Sequence, residues 1–271
     1  MVDGKVESSG LAHNRILPLP SRPPKLESSP QLVLVLDRVR FDLDNRHELG
    51  EFVWFAREYP RIYRHHIEHA EFRLQSVYNS FEDVHKSLAK RILEEDSLDC
   101  FEMAVSDKQV RTIYWNFESY ISALCAALDV LARICTTAFP QQVPISFKDF
   151  CKRAPESSFR DILRGAQTRW AQGMKDYRDC FIHYTPVDTI LSLRFVRYNQ
   201  GWQLRGKLPA NPKAREILRF RWNRRSELLS YSMRVWKRFS SLDRKVAQTI
   251  LRAYRSGSYP LRTTDLFRAG G

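Results

Sequence analysis

The sequence predicts a mainly α protein: a helical bundle with a small β-hairpin or sheet insertion, so that β structure is the minor part. Three observations carry this reading. Between Asp107 and Ala138, apolar Ile113, Phe117, Ile121, Leu124, Leu128 and Leu131 recur at spacings of three and four, the period of a helix face turned to a core. A second pattern of this kind, from about Lys213 to Arg255, carries Leu228, Leu229, Val235, Trp236, Phe239, Leu242, Val246 and Ile250. Between the two, strand-like Ile190–Tyr198 and Trp202–Leu208 flank Asn199-Gln200-Gly201, which is turn chemistry and places a hairpin near residues 189–208.

The remaining elements follow in chain order. Residues 1–30 are rich in Ser, Pro and Gly and read as a disordered or extended tail. Gln31–Asp44 holds Leu32-Val33-Leu34-Val35-Leu36 and then alternating Val39-Arg40-Phe41-Asp42-Leu43, which reads as a strand or hairpin arm. Asp44 or Asn45 is placed to cap a helix over Arg46–Glu58, interrupted by Pro60. A further helix is expected over Arg61–Glu95, with Ile62, Phe72, Leu74, Val77, Leu88 and Ile92 as apolar positions and Asn79-Ser80 as a possible break. Ser106, with Gln109 three residues on, forms a capping-box pattern for the central helix. Pro140 and Pro144 end that region, Ser146 opens a short helix, and Ser157 or Ser158 opens another that leads through Trp170 towards His183. Leu208-Pro209-Ala210-Asn211-Pro212 is a loop, and the last helix has a break expected near Trp222-Asn223. No linker-like composition separates the halves, so residues 31–271 read as one domain.

Charge narrows the partners. The chain carries 44 Lys and Arg against 31 Asp and Glu, a formal net charge of +13, and 32 of the 44 are Arg. Such a balance favours anionic partners, RNA above all, because guanidinium groups pair with phosphate and stack on bases. The five cysteines, Cys100, Cys125, Cys135, Cys151 and Cys180, are scattered with no CxxC pair. They read as reduced thiols of a cytoplasmic protein. No run of about 18 apolar residues predicts a membrane span, and no Gly-rich phosphate loop, dinucleotide fingerprint or G-x-S-x-G pattern occurs.

The stretch Met174-Lys175-Asp176-Tyr177-Arg178-Asp179-Cys180-Phe181-Ile182-His183-Tyr184-Thr185-Pro186 carries the candidate chemistry. Arg178 offers parallel hydrogen bonds to a phosphate. His183 moves a proton near neutral pH. Spacing alone does not select this pair, since Arg61 with His66 and Arg64 with His69 repeat it and composition gives roughly one such pair by chance. The plainer alternative is a helix-end Arg–Asp surface pair beside a half-buried His.

The letters around Arg178 resemble the signature of the HEPN superfamily, helical bundles that include RNA-cleaving toxins and phage-defence nucleases. That signature is R-x4-6-H with a polar residue after the Arg. Here Asp179 takes that place, and apolar Cys180, Phe181 and Ile182 fill the gap before His183. The hairpin followed by Lys207–Pro212 and a helix is similar to an accessory hairpin of some HEPN-like proteins. The resemblance covers roughly residues 45–255. It implies a metal-independent endoribonuclease without cofactor, working as a homodimer in toxin–antitoxin or anti-phage defence, with an antitoxin or activator as protein partner. In it His183 is the general base or acid at the ribose 2′-hydroxyl, Arg178 holds the scissile phosphate, and Asp179 orients one of them. Residues five apart on an α-helix lie about 140° apart, so either the helix unwinds near Thr185-Pro186 or a second copy completes the site. One position departs: several toxin members carry Tyr two residues after the His, where this chain has Thr185, with Tyr184 one place early. The alternative within the family is a silent domain that binds RNA, nucleotide or protein.

Two other clusters compete. In Arg64-His65-His66-Ile67-Glu68-His69, Arg64 and His69 form the second-choice catalytic motif, and His65 with His69 have the spacing of two metal ligands on a helix. No third ligand accompanies them in sequence, and a solvated basic face is the better reading, so no metal is expected. Arg219, Arg221, Trp222, Arg224 and Arg225, with Phe220, form a basic and aromatic patch suited to an RNA backbone and a stacked base. A solvated helix face with two apolar anchors explains the patch equally well.

Overall fold

The computed structural model describes residues 16–23, 30–43, 50–93, 100–104, 108–184, 192–198, 201–216 and 219–260. Among these the order is α1 (Gln31–Leu43), α2 (Gly50–Leu93), β1 (Cys100–Ala104), α3 (Lys108–Cys135), α4 (Phe147–Arg153), α5 (Ser158–Ala166), α6 (Gln172–Asp179), β2 (Ser192–Tyr198), β3 (Gly201–Pro209), β4 (Trp222–Glu227) and α7 (Leu228–Arg255). The protein is thus mainly α with a small antiparallel sheet. Packing divides it into two compact units: residues 1–23, 74–117 and 180–232 form one, and residues 24–73, 118–179 and 233–271 the other.

The first unit holds the sheet, in the order β1-β2-β3-β4. The expected hairpin is present, with Tyr198 opposite Gly201 and Leu193 opposite Gly206. Leu193, Phe195, Trp202, Leu204 and Leu208 are buried, the alternation of a sheet with one covered face. The Tyr114 hydroxyl donates between the carbonyls of Lys207, at 2.7 Å, and Ser192, at 3.0 Å, joining α3 to two strands. Glu227, itself buried, caps α7 by accepting from the backbone N–H of Leu229 and Ser230 at 2.9 and 2.5 Å. Residues 16–23 of the expected disordered or extended tail are extended and held: Leu17 N–H donates to Trp202 C=O at 2.7 Å, and Arg22 reaches Glu82 at 3.4 Å.

The second unit is a helical core. Ser146 caps α4 and Ser157 caps α5, each accepting from the backbone three residues on at 3.2 Å, as the sequence predicts. In α3, one window is apolar enough by composition to cross a membrane, yet 67% of it is buried inside the protein, the condition of a core helix. Cys125, Cys135 and Cys151 are buried thiols, as is Cys180 of the first unit.

Three elements correct the expectations. Gln31–Leu43 is a helix, not a strand: Leu32, Val33, Leu36, Val39 and Leu43 are buried, a helical face that the Leu-Val run conceals. A tertiary cap adds to it, since the Asp243 carboxylate accepts from Gln31 N–H at 2.8 Å. Pro60 does not interrupt α2, and neither do Asn79 and Ser80. Proline removes one ladder hydrogen bond, but buried Phe52, Phe55, Ala56, Tyr59, Tyr63, Ile67 and Ala70 continue through it at helical spacing. Of the apolar positions named for this helix, Ile62 and Phe72 are 43% and 62% exposed, while Leu74 and Val77 are buried. Finally, the described residues between 213 and 227 form no α-helix. Trp222–Glu227 pairs with β3, Lys207 opposite Glu227 and Pro209 opposite Trp222, and the helix starts only at Leu228.

Candidate functional site

Arg178 and Asp179 are the last two residues of α6, and the chain is π-helical on both sides, over Gln167–Ala171 and Cys180–Tyr184. Such wide turns recur at functional sites. Arg178 donates from Nε at 3.0 Å and from Nη2 at 2.7 Å to the same Asp179 Oδ1. Both side chains are about one-third exposed, at 29% and 36%. Burial lowers the Arg178 pKa and the hydrogen bond to Asp179 raises it, and the balance is upward. Asp179 therefore orients Arg178 and secures its charge.

Arg178 lines a small cleft of about 50 Å³ together with Lys175, Lys148, Gln172, Asp129 and Cys125. Lys175 stands three residues before Arg178, on the same helical side. Asp129 Oδ1 accepts from Phe147 N–H at 2.9 Å, and the Asp129 charge adds to the upward pull on the Arg178 pKa. Burial pushes the Cys125 thiol up to about 11, so it is protonated and inert at neutral pH. Lys148 and Lys175 are the residues the sequence reading missed. The i, i+3 spacing of Lys175 and Arg178 was a signal for one of them; Lys148 comes from α4 and left none.

His183 belongs to the other unit. It lies in the π-helical turn, where Cys180 and Phe181 are buried while Ile182 and His183 are exposed. Phe181 anchors the turn, 5.4 Å from Phe117 and 6.1 Å from Tyr114 between ring centroids. The half-buried His of the plainer alternative is thus not found. Thr185 and Pro186, the expected point of unwinding, lie outside the described residues, as do Asp44, Asn45 and Ser106, the expected helix caps. The structure brings Arg178 and Asp179 together; His183 follows five residues after Arg178 in the chain, in the π-helical turn.

Comparison with protein-family models, with curated proteins and with solved structures returned no match.

The second-choice motif is divided between other partners. Arg64 reaches Asp37 of α1 at 4.0 Å. His69 Nε2 accepts from Arg73 Nε at 3.1 Å. Burial, and then the Arg73 charge, lower the His69 pKa. A histidine whose Nε2 already accepts from an arginine is committed as a neutral structural acceptor. Among the described residues no group of three or more His, Cys, Asp or Glu is placed to hold a metal ion.

The basic and aromatic patch does not form a helix face. Arg219 pairs with Glu216 at 2.9 Å. Asn211 knits this loop, its Nδ2 donating to Arg219 C=O at 2.9 Å and its Oδ1 accepting from Arg221 N–H at 2.6 Å. Phe220 is buried, and the half-buried Trp222 ring carries the Lys207 ammonium 4.5 Å from its centroid. Arg221 is exposed, and Arg224 and Arg225 lie along β4, with side chains outside the described residues. Trp222 is therefore covered on one face by a cation, which leaves less of it for a base.

Proposed function

We propose that this protein is a metal-independent endoribonuclease. Arg178 holds the scissile phosphate, and His183 moves the proton of the ribose 2′-hydroxyl. The observation that carries this reading is the pairing of Asp179 with Arg178 at a cleft also lined by Lys148 and Lys175, with exposed His183 in the π-helical turn that follows at once in the chain. In the step envisaged, His183 takes the 2′-hydroxyl proton and the oxygen attacks the adjacent phosphorus. The 5′-oxygen leaves with a proton from a second acid, and the products are a 2′,3′-cyclic phosphate and a 5′-hydroxyl. Arg178 donates to a non-bridging oxygen as its charge grows. Asp179 holds the guanidinium through Nε and Nη2, which leaves Nη1 for the phosphate. The net charge of +13 draws the RNA.

The HEPN resemblance adds a homodimer, a cytoplasmic setting in toxin–antitoxin or phage defence, and an antitoxin or activator that governs the activity. One observation favours a second reading: Arg178 already holds a carboxylate, and an arginine so neutralised suits a domain that binds RNA without cutting it. RNA incubated with the purified protein in EDTA separates the two readings. The nuclease cuts and loses cutting in Arg178→Ala; the binding module retains RNA uncut, and that result overturns the nuclease.

A further inference from the structure

A cleft of about 490 Å³ lies in the helical unit, between α7 on one side and α5 with the π-helical turn Gln167–Ala171 on the other. It is distinct from the small cleft beside Arg178, and no part of the cleavage reading uses it. Three cations line it: Arg169, Arg238 and Lys245. One carboxylate, Asp161, and one hydroxyl, Ser241, accompany them. Arg238, Ser241, Leu242 and Lys245 stand at i, i+3, i+4 and i+7, so one face of α7 supplies a rail of two cations with a hydroxyl between them. The rail spans about 10 Å at 1.5 Å per residue. Among the described residues no ion pair engages Arg169, Arg238 or Lys245.

The opposite wall is preset. Arg169 Nε donates to Gly165 C=O at 2.8 Å, which fixes the guanidinium and leaves its Nη groups as donors. A Cβ at Gly165 would come within 3.1 Å of Arg169 Nη2, so glycine gives the guanidinium its room. Trp170, largely buried, lines the cleft with Ile162 and Leu242, its ring at 73° to Phe239 with centroids 6.4 Å apart. Cations on both walls, together with aromatic and aliphatic side chains, complement a ligand that carries both phosphates and a flat ring.

We propose that this cleft binds a free nucleoside diphosphate, the phosphates along Arg238 and Lys245 with Arg169 opposite, and the base against Trp170, Ile162 and Leu242. Size selects a free nucleotide over a strand. The volume falls within the range of roughly 300–1,000 Å³ usual for small-ligand pockets. A single-strand groove instead tracks about 4–16 nucleotides. The excess of three cations over one carboxylate selects a diphosphate over a nucleoside.

Calorimetric titration of the full chain with ADP, GDP, CDP and UDP tests this, beside adenosine, inorganic phosphate and a single-stranded RNA decamer. The double variant Arg238→Ala/Lys245→Ala removes the rail at exposed positions. Lys237→Ala/Arg255→Ala removes equal charge from exposed positions farther round the same helix. At least one diphosphate binds saturably, one per chain, with adenosine and phosphate each about tenfold weaker or more. The rail variant loses about tenfold or more and the control variant less than about twofold. Absence of saturable binding by all four diphosphates overturns the proposal. So does an equal loss in the control, which would mark bulk charge, or an RNA decamer that binds more tightly and displaces the diphosphate through the same rail.

Discussion

Asp243 of α7 joins three segments through one carboxylate, accepting from Tyr63 Oη at 3.1 Å and from Gln31 N–H at 2.8 Å. Burial raises its pKa and the Tyr63 hydrogen bond lowers it, and burial prevails. Asp243→Ala leaves the Tyr63 hydroxyl and the start of α1 without their acceptor and should cost about 3 kcal/mol by urea denaturation, with Tyr63→Phe costing about 1–2 kcal/mol. A second residue-scale consequence concerns His66 and His69. Burial is the main cause holding both below the ordinary value of 6.5. A histidine depressed in the folded state favours the neutral form. Its stabilisation is full above 6.5 and is lost as pH falls through the lowered folded value. The melting temperature should therefore fall from about pH 7 to about pH 5, and fall less in His66→Gln/His69→Gln. NMR titration of Arg73→Ala should show the His69 pKa moving up. An unmoved value would mean that the Arg73 contact does not act on the ring.

At the scale of elements, Gly206 of β3 shows what the sheet demands. A Cβ there would meet Phe81 Cζ at 2.8 Å and Leu228 Cβ at 2.9 Å. Gly206→Ala should destabilise by about 2 kcal/mol through overpacking, read as a lower urea midpoint at unchanged slope. What the sequence made legible were elements whose signals are local. The hairpin announced itself by alternation around Gly201, and α4 and α5 by Ser146 and Ser157. What it concealed depends on contacts distant in sequence. The Leu-Val run of α1 becomes a helix with Asp243 at its start, 212 residues away. Pro60 rides inside α2 because buried aromatic side chains hold both flanks. Trp222–Glu227 carries a helix-like mixture of letters, and pairing with β3 makes it a strand. The helix face offered as the plainer reading of the Arg-rich patch is replaced by a loop and β4 for the same reason.

For the whole molecule, the letters of Arg178, Asp179 and His183 identified the candidate stretch. Two of its physical features did not show in the letters: the π-helical turns that flank α6, and Lys148 reaching the Arg178 cleft from α4. Charge sets a further expectation. On the proposed reading, a chain with 32 Arg and a net charge of +13 holds RNA largely through phosphates, so affinity should fall by tenfold or more between about 50 and about 200 mM salt in a filter-binding assay. A flat salt profile would refute electrostatic RNA binding. The cleavage reading meets its most direct test in the ends of the RNA. With EDTA present, the purified protein should leave 2′,3′-cyclic phosphate and 5′-hydroxyl ends. Arg178→Ala and His183→Ala should each abolish them while circular dichroism stays unchanged. Cutting that survives both substitutions, or that leaves 3′-hydroxyl ends, would contradict it.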